Sequence, residues 1–400
     1  MTNTHHSPAT LLTLLATTLL STTLATTTQA AEYSADYRVE ARYEYNDNVR
    51  LSPDNQIDTS GGKLILPVTL TRRSERLDAS LAGELSSSKY NESGYDSDNQ
   101  NVQGNATYQL ERGELKGNAG YLRDSTLDSE FTDTGVVGLS ATRKETATVG
   151  GSGFHMFTEK NGLSAGGNYA DVQYQSPFYQ DYTYASGYGG WLHQWTERTL
   201  LRLQAYANNY ENDGQVKVSS DGLGAQAGFD SDLSEQLTLS MLVGWVSIDT
   251  NYSSGQPIPI DDASDDAYLV TGSLKYEQER YNLEARVKSD TNPSGDGYLL
   301  KTDQLDVSYG YRLTELSRAN LTVLAGRSSS LDSSIDNDRD YARGVLRLDY
   351  RFSPNWYVAG SYTYSFQDQK RNNNYDPGDA DSNSVYLSLI WQPDTHAWSR

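Results

Sequence analysis

Residues 37–45 read Tyr37-Arg38-Val39-Glu40-Ala41-Arg42-Tyr43-Glu44-Tyr45, and two chemistries take turns along them. In an extended chain successive side chains point to opposite faces. Tyr37, Val39, Ala41, Tyr43 and Tyr45 then share one face, while Arg38, Glu40, Arg42 and Glu44 share the other. No helix sorts these residues so cleanly. A strand of a soluble sandwich would turn aliphatic residues inward and scattered polar ones outward, not four charges against an aromatic stripe. The pattern predicts a strand with lipid on one side and a wet lumen on the other.

The run continues as Tyr45-Asn46-Asp47-Asn48-Val49. An opening tyrosine strand that ends in an Asp-Asn pair resembles the start of the beta-barrel porin 2 group, which includes barrels of the exosortase and PEP-CTERM system in exopolysaccharide-producing Gram-negative bacteria. The turn Thr196-Glu197-Arg198 and the entry to the last strand, Asn383-Ser384-Val385, are similar as well. The resemblance spans nearly all of the mature chain on short motifs. It implies an outer-membrane channel with exopolysaccharide export, or a related surface system, as its setting and polysaccharide as a partner.

A hydrophobic content of 36 % with a mean hydropathy of −0.67 would suit a soluble or partly disordered chain. The 30 tyrosines argue otherwise. Disordered segments are poor in aromatics, whereas barrels carry aromatic girdles and a polar lumen that lowers mean hydropathy. The apolar run over residues 9–20, followed by Thr28-Gln29-Ala30-Ala31, predicts a secretory signal over 1–30 and a mature barrel over 31–400. No cysteine is present, which excludes a lipobox anchor and a cystine framework. No later apolar run is long enough for a spanning helix. The net charge of −21 disfavours nucleic acid as a partner.

Segments of about ten residues, the length a tilted spanning strand needs, recur along the chain. They fall at 37–45, 62–72, 76–87, 98–110, 114–124, 145–157, 162–174, 181–194, 199–210, 219–230, 236–249, 266–277, 280–289, 301–312, 318–329, 341–352, 355–367 and 383–391. Short links alternate with longer ones rich in Asp, Asn, Ser and Gly, as at the periplasmic and extracellular rims of outer-membrane barrels. The reading is an all-β, antiparallel up-and-down transmembrane barrel of about 18 strands, with 16 to 20 open because boundaries carry errors of about two to four residues. Residues 126–144, where Val137, Leu139 and Ala141 alternate, are the place where a further strand could enter. Val385, Leu387, Leu389 and Trp391 form one face of the last strand, a signal for the barrel-insertion machinery. Pro393 then ends that strand, so residues 392–400 are expected as a short periplasmic tail.

The mature chain holds only His155, His193 and His396, scattered along it, so a histidine-based hydrolase is disfavoured and no enzyme is expected. Acidic loops at 124–133, 261–266, 332–340 and 376–381 fall on the proposed outer side. Asp336-Asn337-Asp338-Arg339-Asp340 opens like a calcium loop, but Tyr341 and Arg347 stand where Gly and Glu are required. Solvated loops are expected, with no metal and no cofactor. A weaker reading places divalent ions between these carboxylates and lipopolysaccharide phosphates, which with outer-membrane lipid are the expected surroundings. The charged strand faces carry more information. Arg38, Glu40, Arg42 and Glu44, then Glu284, Arg286 and Lys288, then Arg343, Arg347, Asp349 and Arg351 should all point inward, since Arg or Lys facing the bilayer midplane costs about 2–4 kcal/mol. They would either brace the wall with salt bridges or line a hydrated pore, and about eighteen strands leave room for water. A porin-like channel is the leading reading, with a non-conducting surface scaffold or adhesin as the alternative.

Overall fold

The computed structural model describes residues 31–127, 129, 141–176, 178–214, 216–254, 263–331, 337–371 and 378–399. The signal segment, the possible further strand around Val137 and Leu139, and parts of all four acidic loops lie outside them. The chain runs through Glu32–Tyr37 (β1), Val39–Asn46 (β2), Thr59–Arg73 (β3), Leu77–Tyr90 (β4), Ser97–Leu110 (β5), Gly113–Ser125 (β6) and Arg143–Met156 (β7). It continues through Asn161–Tyr174 (β8), Tyr182–Thr196 (β9), Thr199–Asn212 (β10), Val216–Asp232 (β11), Leu237–Ser254 (β12), Ala263–Glu277 (β13) and Tyr281–Pro293 (β14). Leu299–Arg312 (β15), Ser317–Ser330 (β16), Asn337–Ser353 (β17), Trp356–Arg371 (β18), Gly378–Trp391 (β19) and His396–Ser399 (β20) complete it.

Each strand from β3 to β18 pairs antiparallel with the next, and β19 pairs back onto β2, which closes an 18-strand up-and-down barrel. β1 and β2 are two halves of one stave, because both pair with β3 in a single register, Tyr37 opposite Val68 and Glu40 opposite Ile65. The break falls at Arg38 opposite Pro67, whose nitrogen has no proton to give the ladder. The N–H of Arg38 still donates to the Pro67 carbonyl at 3.2 Å. The segment after Pro393 returns to the wall as β20, where Trp398 stacks on Tyr33 at 5.7 Å. Since Trp391 pairs with Val39 and His396 with Ala35, residues 392–395 face 36–38, and the extra residue bulges the wall at the proline.

The outside of the barrel is apolar. Tyr43, Leu64, Leu66, Val68, Leu70, Leu387 and Leu389 are exposed there, a continuous surface that water would not tolerate and a bilayer would cover. Trp195, Phe157 and Phe352 ring the short-turn end, while Tyr45, Trp245, Tyr268 and Tyr362 stand nearer the long loops. These are the two girdles such a band requires. Most strands run past their expected segments toward the long loops; β12, for example, reaches Ser254 where alternation alone ended at 249. Membrane thickness sets only the minimum length, and the backbone ladder continues above it for as long as a neighbour offers partners.

Candidate functional site

The lumen is built by the other face of each strand. On β2, Glu40 is 1 % exposed, takes two hydrogen bonds from the Arg42 guanidinium at 3.1 and 2.7 Å, and accepts the Ser388 hydroxyl at 2.8 Å. Arg42 lies over the Tyr386 ring, 4.0 Å from its centroid, a contact in which the ring face attracts the cation. Arg347 donates to the Tyr386 hydroxyl at 3.0 Å and forks onto Asp349 at 2.7 Å, and Asn320 reaches the same carboxylate at 3.5 Å. One network therefore joins β16, β17, β19 and β2. Arg343, two inward positions higher on β17, donates to Ser365 at 3.1 Å.

The remaining sequence-derived residues sit apart from this network. Glu44 accepts the Tyr90 hydroxyl, and Arg38 is exposed at the break between β1 and β2. Glu284 is bridged by Arg286 at 2.6 Å and by Lys275 at 3.7 Å, while Lys288 reaches Asp290 at 3.3 Å. Arg351 turns to the short-turn mouth, where it donates to the Ser353 and Pro354 carbonyls at 3.4 and 3.1 Å. Of the histidines, His193 bonds Asn161 at 3.0 Å and stacks on Trp191, and His396 leans on Trp398. Among the described residues no group of three or more His, Cys, Asp or Glu is placed to hold a metal ion.

What sequence reasoning missed is an arm inside the barrel. The β13–β14 ladder stops at Val270 opposite Ser289, although β12–β13 continues to Ala263 and β14–β15 continues to Pro293 opposite Leu299. Beyond Ser289, β14 keeps its ladder to β15 but loses β13, and the hairpin tip leans into the lumen against the inner faces of β8–β10 and the β8–β9 link. There the Tyr210 hydroxyl donates to Ser294 O at 3.2 Å, Asn212 to Gly297 O at 3.0 Å, the Gln180 N–H to Gly295 O at 2.8 Å and Asn208 to the Thr291 hydroxyl at 3.2 Å. Leu299 packs into a buried cluster with Val172, Tyr182, Tyr210, Val218, Val246, Ile248, Ala267 and Leu269, all inward positions of β8–β13. Two glycines permit the approach. A Cβ on Gly295 would meet the Tyr174 ring at 2.8 Å, and Gly297 has φ +94°. On the other side of the tip, Asn337 of β17 donates to the Tyr298 hydroxyl at 2.8 Å.

A second segment, residues 47–58, also folds inward. Leu51 is buried against Leu324, Tyr341 and Ala380, and its carbonyl accepts Gln367 at 2.7 Å. It holds φ 49°, a left-handed conformation costing a non-glycine residue about 1–3 kcal/mol that burial of the side chain offsets. The lumen thus has two unlike walls. Tyr174, Tyr182, Tyr184, Tyr188, Tyr206 and Tyr210 crowd the inward face of β8–β10, with the Tyr184 and Tyr206 hydroxyls 3.1 Å apart. The guanidinium network lies on β17–β2. From β10 to β19 is nine of the eighteen staves, so the two walls face each other.

No protein-family model and no curated protein matches the chain. Solved structures of outer-membrane barrels align over most of it at low identity. A BenF-like porin from Pseudomonas fluorescens Pf-5 is 10 % identical, with 90 % of this chain and 99 % of that one covered and a TM-score of 0.44. OpdK from Pseudomonas aeruginosa, solved with vanillate, is 11 % identical, with 92 % and 99 % covered and a TM-score of 0.43. The siderophore receptor PiuA from Acinetobacter baumannii is 8 % identical, with 90 % and 82 % covered and a TM-score of 0.44. Likeness this distant carries no argument about function, and the exosortase-linked part of the resemblance finds no support in it.

Proposed function

We propose that the chain is a porin-like channel of the outer membrane that passes polar solutes, with a preference for anionic ones. The carrying observation is the guanidinium wall of Arg42, Arg343 and Arg347 set on the inward face of a barrel whose outward face is apolar. Opposed to the part of the tyrosine wall that the arm leaves partly exposed, Tyr188 and Tyr206, it suits a solute that offers a carboxylate to one side and a ring face to the other. Acidic saccharides have both, which fits the exopolysaccharide setting that the resemblance implies. The long loops then lie outside the cell and the short turns in the periplasm. No catalytic role is included, since the histidines are engaged in packing or lie apart.

One observation favours a second reading, the non-conducting scaffold: two segments, the arm and residues 47–58, fold into the same end of the lumen. Planar-bilayer recording decides between them. The parent protein should conduct, with an anion-favouring reversal potential under a salt gradient. Arg343→Gln with Arg347→Gln should fold and shift that potential toward cations, because rings of lumen charge tune which ions pass. Arg42 is left alone, as its loss would strand the buried Glu40 carboxylate. A folded parent that passes no current would establish the scaffold.

A further inference from the structure

Asn46-Asp47-Asn48, at the end of the opening tyrosine strand, falls where the first stave meets the last. Every other junction in the wall joins staves consecutive in the chain, whereas this one brings together residues 336 apart. Closure entropy grows with loop length, so the seam has the least help from chain connectivity and is the last junction to form. Its backbone ladder is also cut short. β2 ends at Asn46 opposite Ser384, while β19 climbs beside β18 as far as Gly378.

Side chains carry the junction on from there. The Asp47 N–H donates to Asn383 O at 3.1 Å, as a ladder bond would. The return bond goes to the carboxylate: the Asn383 N–H donates to Asp47 Oδ1 at 2.7 Å, and the Asn383 carboxamide to Oδ2 at 2.9 Å. The Asn48 carboxamide donates to Asp381 O at 2.9 Å, where a strand would have offered its N–H, and its oxygen takes the Ser52 N–H at 3.1 Å. Asn46 Oδ1 accepts both the Ser382 hydroxyl and the Asn48 N–H at 2.8 Å. A carboxylate in place of a carbonyl and a carboxamide in place of an N–H keep the edge of β19 satisfied. The main chain is thereby released to turn inward and bury Leu51.

We propose that Asn46-Asp47-Asn48 is the latch of the barrel, locking the β2–β19 seam at the long-loop end so that closure, and not formation of the hairpins, depends on it. The latch would serve a conducting barrel and a scaffold alike. A chemical twin stands at an ordinary hairpin, where the Asp181 carboxylate accepts the Tyr174 N–H, also at 2.7 Å, between β8 and β9. In folded protein in detergent, Asp47→Ala should quicken amide exchange of residues 40–46 and 381–388 about tenfold, the loss of a charge-assisted bond, and should slow folding into the heat-modifiable form several-fold. Asp181→Ala should quicken exchange only around Tyr174 and leave the folding rate unchanged. Asp47→Asn keeps one acceptor oxygen for the Asn383 N–H, so it should fall between parent and Asp47→Ala, and it carries the test if Asp47→Ala does not assemble. Effects of Asp47→Ala or Asp47→Asn confined to residues 46–48, like those of Asp181→Ala around Tyr174, would make the triplet an ordinary loop tether and overturn the latch. Seam exchange and folding at the parent's rates would overturn it as well.

Discussion

The opening stave and the β14–β15 arm obey the same alternation, yet one stays in the wall and the other leans into the lumen. In β2 the inward Glu40 and Arg42 meet Ser388 and Tyr386 of β19, and outward Ala41, Tyr43 and Tyr45 are exposed to lipid. In the arm, Asp290 and Asn292 alternate with Thr291 just as regularly, but Thr291 points at the inner wall of β10. Alternation fixes which side chains share a face. It does not say what that face will meet. The difference lies in the neighbours: β12 and β13 carry Val246, Ile248, Ala267 and Leu269 at inward positions where a water-filled lumen calls for polar groups. An apolar patch inside a barrel is a seat, and the arm is what sits on it.

The largest effect that tests this contrast belongs to the outer face. Leu389→Arg, on the outward face opposite Ala41, should destabilise the barrel by up to about 2–4 kcal/mol and deplete the heat-modifiable form in the outer-membrane fraction. Arg38→Gln, exposed at the break in the first stave, should leave that form intact. Equal damage from both would mean that the two faces had been exchanged. The arm should respond differently, in position and not in assembly. Leu299→Ala removes buried apolar contact worth about 2 kcal/mol, the low end for such truncations, so hydrogen exchange of residues 294–299 should quicken while β12 and β13 stay protected. Slower folding or loss of the whole barrel would show instead that the arm is part of the structural core.

The barrel was legible in the sequence because each stave writes its own pattern. Eighteen segments and the short and long links between them follow from residues two apart, a local property. The guanidinium wall was half legible: alternation faces Arg42 and Arg347 inward, but their meeting on Tyr386 depends on the closure of β19 onto β2, some 340 residues apart in sequence. Arg351 shows the limit, since the same pattern that faces it inward does not say that it folds back on the turn at Pro354. The arm had a trace that went unread. Val246 and Ile248 behind outward Trp245, and Ala267 and Leu269 behind outward Tyr268 and Val270, put apolar side chains on the lumen face too, and a barrel stave with an apolar lumen face must be covered from within.

The smallest effect separates two tethers at the long-loop end. The loop between β4 and β5 contains a 3-10 turn, Ser93–Tyr95, followed by Asp96, which accepts the Tyr90 N–H at 2.8 Å and the Lys89 ammonium at 3.0 Å. The Tyr90 N–H first, then Lys89, holds the Asp96 carboxyl below its ordinary value of 3.8. A carboxyl depressed in the folded state contributes stability in full above its unfolded pKa, and that contribution is lost as pH falls through the lower folded value. The arm's five side-chain and backbone tethers use hydroxyl, amide and backbone groups, none of which titrates in that range. Amide exchange corrected for intrinsic rates should therefore show the Tyr90 amide losing protection only as pH falls below about 4, with residues 294–299 unchanged, and Asp96→Asn should abolish the difference. Parallel loss in both segments would mean that the arm, too, is held by a carboxylate, with Asp290 and Asp296 the groups to replace next.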